Sequence, residues 1–245
     1  MSISPPYSYP VTNSDLIKAH SLIKHFEGGY FAQTVGLDSV SPTSPTPTST
    51  HVPKSTALEG REQIASGSGT ELLTPAPNTI TEIQGSEKRT DATQIYYLLT
   101  PESYRGRMHM NLHSTFHLHH SGRALYTLIK PPSSPSETPT VHRVILGSDV
   151  TQGEVTQLFV PGGWWKASEI PDEDLLLLDA PDAKEAKLDE RIGCLISEVV
   201  VPGWNPDQHQ FIDEDKLKTM WGGKAGWEQY VKYIKAPEGL EYPDK

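Results

Sequence analysis

The sequence predicts an all-β fold, an antiparallel sandwich or barrel with one short helix before it and helices behind it. Three observations predict it. Between residues 92 and 201, short alternating or β-branched and aromatic runs recur roughly every 8–15 residues, the rhythm of strands rather than helices. Turn formers separate them: Ser121-Gly122, Pro131-Pro132, Gly147-Ser148-Asp149, Pro161-Gly162-Gly163 and Pro202-Gly203. A length of 245 residues suits one domain with an appendage better than two full-sized domains.

Taken in order, residues 1–13 are rich in Pro, Tyr and Ser and read as a flexible arm. A helix is expected over 14–25, capped by Asn13 or Ser14, with Leu16, Ala19, His20 and Ile23 at helical spacing and Gly28-Gly29 ending it. Residues 30–35 read as a strand. Residues 36–91 are poor in apolar residues, and 41–50 consist of Ser, Pro and Thr alone. Such a stretch buries too little surface to offset its ordering entropy, so it reads as a mobile insertion within a barrel domain spanning 14–212. Strands are then expected at 94–99, 107–113, 116–120, 124–129, 142–146, 155–160, 175–178 and 193–201. A helical extension closes the chain over 213–245, with helices at 213–221 and 224–235; Trp227, Tyr230, Val231 and Ile234 share one face of the second.

Composition excludes several functions. The formal net charge is −10, which argues against nucleic acid as a partner, because phosphate binding needs clustered Lys and Arg. No apolar run approaches the roughly 18 residues of a membrane span. The start, Met1 to Pro10, has neither a basic region nor an apolar core, so the expected location is cytoplasmic. Cys194, the single cysteine, can make no intramolecular disulfide and reads as buried and inert. No phosphate-cradling glycine loop and no nucleophile elbow is present.

Histidine is the unusual residue: five of the ten lie between His109 and His120. Around them stand recognisable blocks, namely His25-Phe26-Glu27-Gly28-Gly29-Tyr30-Phe31, Ile95-Tyr96-Tyr97-Leu98-Leu99, Ile145-Leu146-Gly147-Ser148-Asp149, Val160-Pro161-Gly162-Gly163-Trp164-Trp165 and Val200-Val201-Pro202-Gly203-Trp204. In order and combination they resemble cupin family 5, the domain-of-unknown-function 985 branch of the cupins. The resemblance implies a double-stranded β-helix, the cupin jelly roll, with a ligand pocket in its mouth, and a homodimer. It supplies no reaction. The acidic pair that the family carries after its first His is absent here.

Laid on the general cupin motifs, the metal-ligand slots hold His109, Asn111, Thr115 and Lys166. Only His109 is a good ligand, and a lysine ammonium repels a dication. The expectation is therefore no metal and no cofactor. Imidazole titrates near cellular pH, so His109 and His117 are the expected acid and base, with Lys166 stabilising a carboxylate or developing enolate. Asn111, Thr115, His119, Tyr96, Trp165 and Glu198 are expected to bind substrate. Tyr97 replaces Tyr96 if the strand register is off by one residue. Glu198 pairs with Lys166, acts as a base or else faces the surface, and Glu27 reads as an incidental acid at a helix stop. The resulting expectation is a metal-independent isomerase, epimerase or cyclase acting on a small molecule. The alternatives are a metal-dependent cupin oxygenase with a histidine set of its own, since His117 and His119, or His109 and His113, share strand faces, and a non-enzymatic small-molecule-binding cupin.

Overall fold

The protein was analysed as a computed structural model that describes residues 4–5, 7–38, 90–134 and 136–244. Among the described residues, eleven strands form two antiparallel sheets. The strands are β1 (Ile23–Lys24), β2 (Tyr30–Asp38), β3 (Thr90–Leu99), β4 (His109–Asn111), β5 (Ser114–Gly122), β6 (Ala124–Lys130), β7 (Thr140–Leu146), β8 (Gln157–Val160), β9 (Trp165–Glu169), β10 (Cys194–Val201) and β11 (His209–Phe211). One sheet has the order β1-β2-β3-β10-β5-β8 and the other β11-β4-β9-β6-β7. This is the expected all-β jelly roll.

Strand period 2 sorts each side chain to one face. Tyr97 and Leu99 of β3, Tyr126 and Leu128 of β6, and Cys194 and Ile196 of β10 meet in the core between the sheets. Their neighbours face outward. Leu98 and Leu195 pack with Tyr9, Leu16 and Leu22 under the N-terminal segment. Ile129 and Trp165 pack with Leu217, Trp221, Tyr230 and Tyr233 under the C-terminal segment. The barrel is thus covered on both outer faces by the chain's own ends.

Several elements differ from the sequence reading. Helix α1 covers only Asn13–His20: Thr12 is its N-cap, accepting from the Asp15 amide, and Ser21 closes it in the left-handed region at φ 53°. Asn13, an expected cap, instead donates to the carbonyls of Asp189 and Ile192 at 2.9 Å each. Ile23, read as part of the helix face, is 62% exposed and pairs with Phe31 in β1 and β2. The arm is anchored, because Tyr9 is buried and donates to Asn13 Oδ1 at 2.6 Å.

The expected strand at 175–178 is helical: α2 (Asp172–Leu175) runs into a 3-10 turn over Leu176–Asp179. Pro171 and three acids in the first turn favour a helix start there, and buried Asp174 is clamped by Arg123 at 2.6 and 2.8 Å. Helix α3 (Glu214–Met220) matches expectation, but the last helix shrinks to a 3-10 segment, Glu228–Tyr233, after Gly226 at φ 115°. Strands β1, β9 and β11 had not been expected. The insertion is shorter than read: Gly36–Asp38 and Thr90–Asp91 belong to β2 and β3, where Gly36 pairs with Thr93 and Leu37 with Ala92. Its remainder, 39–89, lies outside the described residues. Among the described residues, no helix is long and apolar enough to cross a membrane.

Candidate functional site

The two sheets bring a polar cleft together inside the barrel, lined by Glu27, Tyr97, Arg107, His109, His117, Tyr126, Lys166, Ser168 and Glu198 among others. Register explains the meeting. Glu198 of β10 pairs with His117 of β5, and Lys166 of β9 pairs with His109 of β4. All four sit on inward positions of strands whose alternate residues build the outer layers.

One half of the cleft is centred on His117. Lys166 Nζ donates to Glu198 Oε1 at 2.5 Å and to His117 Nε2 at 3.2 Å. The Thr115 hydroxyl lies 3.1 Å from the same Nε2, while Nδ1 faces the Tyr126 hydroxyl at 3.2 Å and Glu198 Oε2 at 3.6 Å. Burial, reinforced by the Lys166 charge, pushes the His117 pKa down to about 3, so its ring is a neutral imidazole at cellular pH. With Nε2 accepting from Lys166, the remaining ring proton belongs on Nδ1, between Tyr126 and Glu198. Burial pushes Glu198 up, but Lys166 and His117 outweigh it and the carboxylate stays below its ordinary range. Burial raises both Tyr97 and Tyr126 well above the usual phenol value, so both keep their protons.

The other half is centred on Glu27, which sits in a turn closed by Gly28 N–H to the His25 carbonyl and His25 N–H to the Gly29 carbonyl, both at 3.0 Å. Gly28 and Gly29 have φ of 98° and 71°, the left-handed region that glycine enters without strain. The Glu27 carboxylate accepts from His209 Nε2 at 2.6 Å and faces His109 Nε2 at 3.4 Å and His25 Nδ1 at 3.6 Å. Burial raises its pKa, but in acid the cations that His109 and His25 become, together with the His209 hydrogen bond, outweigh burial and hold it well below the carboxylate norm. Burial takes His109 down to about 4.

Of the residues picked from sequence, His109, His117, Lys166 and Glu198 do line one cleft. Thr115 stands behind His117 and orients its ring. Asn111 is buried on the same face of β4 as His109, but it is not among the lining residues and its Oδ1 makes no hydrogen bond among the described residues. Three placements need correction. Tyr96 faces outward against His20 and His120, with ring centroids at 4.4 and 5.7 Å, and Tyr97 takes the inward place. Trp165 is buried in the outer layer beneath the C-terminal segment, because its neighbour Lys166 takes the inward position. His119 turns its Nε2 to the Gly122 carbonyl at 2.7 Å, where β5 bulges against β10, and so parts from His117.

The reading missed Glu27, His209, Tyr126 and Ser168. Glu27 carried a signal, since it lies inside the His25–Phe31 block. His209 carried none, because β11 is three residues long. Metal fits the family's slots poorly: Lys166 is bonded to Glu198 and His117, and Thr115 is engaged with His117. That leaves His109 alone as a ligand of the usual kind.

Fold and site together define a cupin-type jelly roll with a titratable pocket. Residues 14–212 match the family described as the cupin superfamily (DUF985), and the chain belongs to it. An uncharacterised protein of Saccharomyces cerevisiae is 34% identical over 216 residues, covering 87% of this chain and 82% of that one. A hypothetical protein from Leishmania major superposes with a TM-score of 0.55 at 22% identity, over 91% of this chain and 96% of the other. A Shewanella oneidensis structure gives 0.54 at 16% identity, over 93% and 99%. These structural likenesses speak for the fold.

Proposed function

We propose that the protein binds a small carbonyl compound in the barrel and moves a proton on its carbon skeleton, as an isomerase, epimerase or cyclase does. The carrying observation is His117, a neutral imidazole held between Lys166 and Tyr126 at 3.2 Å each, with Glu198 at its side. In this reading a substrate oxygen draws the Lys166 N–H away from His117. Nε2 then takes the proton from the adjacent carbon, and the electron pair moves onto the oxygen. Glu198 stabilises the imidazolium that forms, and Lys166 stabilises the enolate. Tyr126, protonated and 3.2 Å from His117 Nδ1, returns a proton to carbon and takes one back from the His117 imidazolium. Lys166 keeps its bond to Glu198 while the N–H that it gives His117 turns to substrate. His109 borders the same cavity from the Glu27 side. The reading takes the protein as a cytoplasmic homodimer, the pairing being what the family resemblance implies.

The test is exchange of carbon-bound hydrogen in D2O, followed by NMR over a panel of keto sugars, keto acids and lactones. Wild-type protein is expected to catalyse exchange in at least one compound, and His117→Asn to slow it by about 10²–10⁴, the range of a lost general base. No exchange and no binding across the panel would sink the proposal. Equal rates in the wild type and His117→Asn would remove His117 from it.

A further inference from the structure

We infer that Glu27, His109 and His209 form a binding site for one divalent transition-metal ion, sharing only His109 with the slots that cupins ordinarily use. Among the described residues, this is the set of His, Cys, Asp and Glu side chains that converges: one ligand atom from each lies within 4.8 Å of the others. Three elements deliver them. Glu27 comes from the glycine turn before β2, His109 from β4 and His209 from β11, where β11 pairs with β4 and stacks the two imidazoles at 5.0 Å. Only 9%, 7% and 5% of their surfaces remain exposed, so nine-tenths or more of each is withdrawn from solvent.

Hydrogen bonding marks the place of a cation. His109 Nδ1 lies 2.9 Å from the Arg107 carbonyl, which can only accept, so Nδ1 carries the ring proton. The lone pair is then on Nε2. It makes no hydrogen bond among the described residues and lies 3.4 Å from Glu27 Oε2. Two acceptors face each other in a buried place, an arrangement that costs free energy until a positive centre lies between them. The N–H to backbone carbonyl bond is also the usual outer support of a metal-bound histidine, fixing tautomer and ring direction. Two imidazoles and one carboxylate are the ligand set of catalytic zinc and of non-haem iron, both of which keep a coordination position open.

Metal–ligand bonds of about 2.0–2.2 Å place ligand atoms about 3.3–3.6 Å apart in a tetrahedron. The 3.4 Å pair already has that spacing, and the 2.6 Å Glu27–His209 hydrogen bond would open as the ion takes the place of its proton, which moves to His209 Nδ1. The Lys166 ammonium, which spoils the usual slots, is neutralised by Glu198. Glu27 and His109 line the same cleft as His117, so the ion would meet a ligand there. The site replaces the expectation of a metal-free pocket.

The experiment is titration of chelator-stripped, full-length protein with Co2+, read by visible absorption, with Zn2+ as competitor. One Co2+ per chain is expected, displaced by Zn2+. Glu27→Gln and His209→Asn are each expected to weaken binding by more than the roughly 10–100-fold that losing an outer-shell partner costs. His119→Asn and His117→Asn should leave it unchanged, and the latter separates the ion from the proton transfer proposed above. Circular dichroism of the stripped variants establishes that they fold. If His209→Asn does not, the near-isosteric Glu27→Gln carries the test, together with paramagnetic shifts of the His109 and His209 ring protons in the wild type. No stoichiometric Co2+ binding, or binding that survives Glu27→Gln with unshifted ring protons, overturns the assignment.

Discussion

The cleft concentrates groups whose charge states burial has altered. His25, His109 and His117 all have pKa values below the ordinary imidazole value because burial disfavours their cations. Unfolded, each would take a proton near pH 6.5. Below that pH the unfolded chain therefore binds more protons than the folded one, and folded stability is lost as the pH falls from about 6.5 toward the folded values, about 4 for His109 and about 3 for His117. Glu27 and Glu198, whose pKa values are depressed, add a loss in the same direction at lower pH, below about 4.5. Urea unfolding at pH 7.5 and pH 5 is thus expected to give lower stability at pH 5, with a slope of up to about 1.4 kcal/mol per pH unit for each such histidine. His117→Asn should flatten that slope. A stability that rose toward pH 5 would refute the neutral assignment of these rings.

Among the elements, the hairpin linking β5 and β6 sets where the pocket strands begin. Gly122 has φ 74°, and a methyl group on it would collide with the Gly193 backbone, whose carbonyl accepts from Arg123 N–H at 3.0 Å. Gly153 has φ 83° with open space around it. Gly153→Ala therefore tests backbone strain alone and should cost about 1–2 kcal/mol. Gly122→Ala adds a backbone collision and should cost at least about 2 kcal/mol more. Urea denaturation midpoints of the two variants check the difference; similar losses would mean that β5 and β10 can part at the bulge without penalty.

For the molecule as a whole, the chain's ends cover what the sheets leave apolar. Met108, Ile129 and Trp165 present one outer face, and Leu217, Trp221, Tyr230 and Tyr233 close it. Met108 N–H donates to the Tyr233 carbonyl at 2.9 Å, and Tyr233 OH donates to buried Glu169 at 2.5 Å. This layer supports β4 and β9 from behind and so holds His109 and Lys166 in register. Trp165→Ala is expected to destabilise the protein by about 3–5 kcal/mol, the cost of emptying a large aromatic site. At temperatures where the variant is folded it should leave Co2+ affinity within a few-fold. Loss of stability together with Co2+ binding in the folded variant would return Trp165 to the pocket.

Strand rhythm, turn residues and the ordered blocks from His25 to Trp204 were enough to establish an all-β jelly roll and its family, because period-2 burial and turn chemistry are local properties. They also placed His109, His117 and Glu198 on strands, whereas Lys166 was marked only by its slot in the second cupin motif. Other features depended on pairing across distance. Tyr97 faces inward rather than Tyr96 because β3 takes its register from β10 and β2. Leu175–Leu178 packs as helical turns because Arg123, 51 residues before Asp174, anchors their start. Glu27 reaches His209 across 182 residues of chain, a meeting that no local pattern encodes. The fold was written in neighbouring residues, whereas the charge states and partners in the cleft follow from which strands lie side by side.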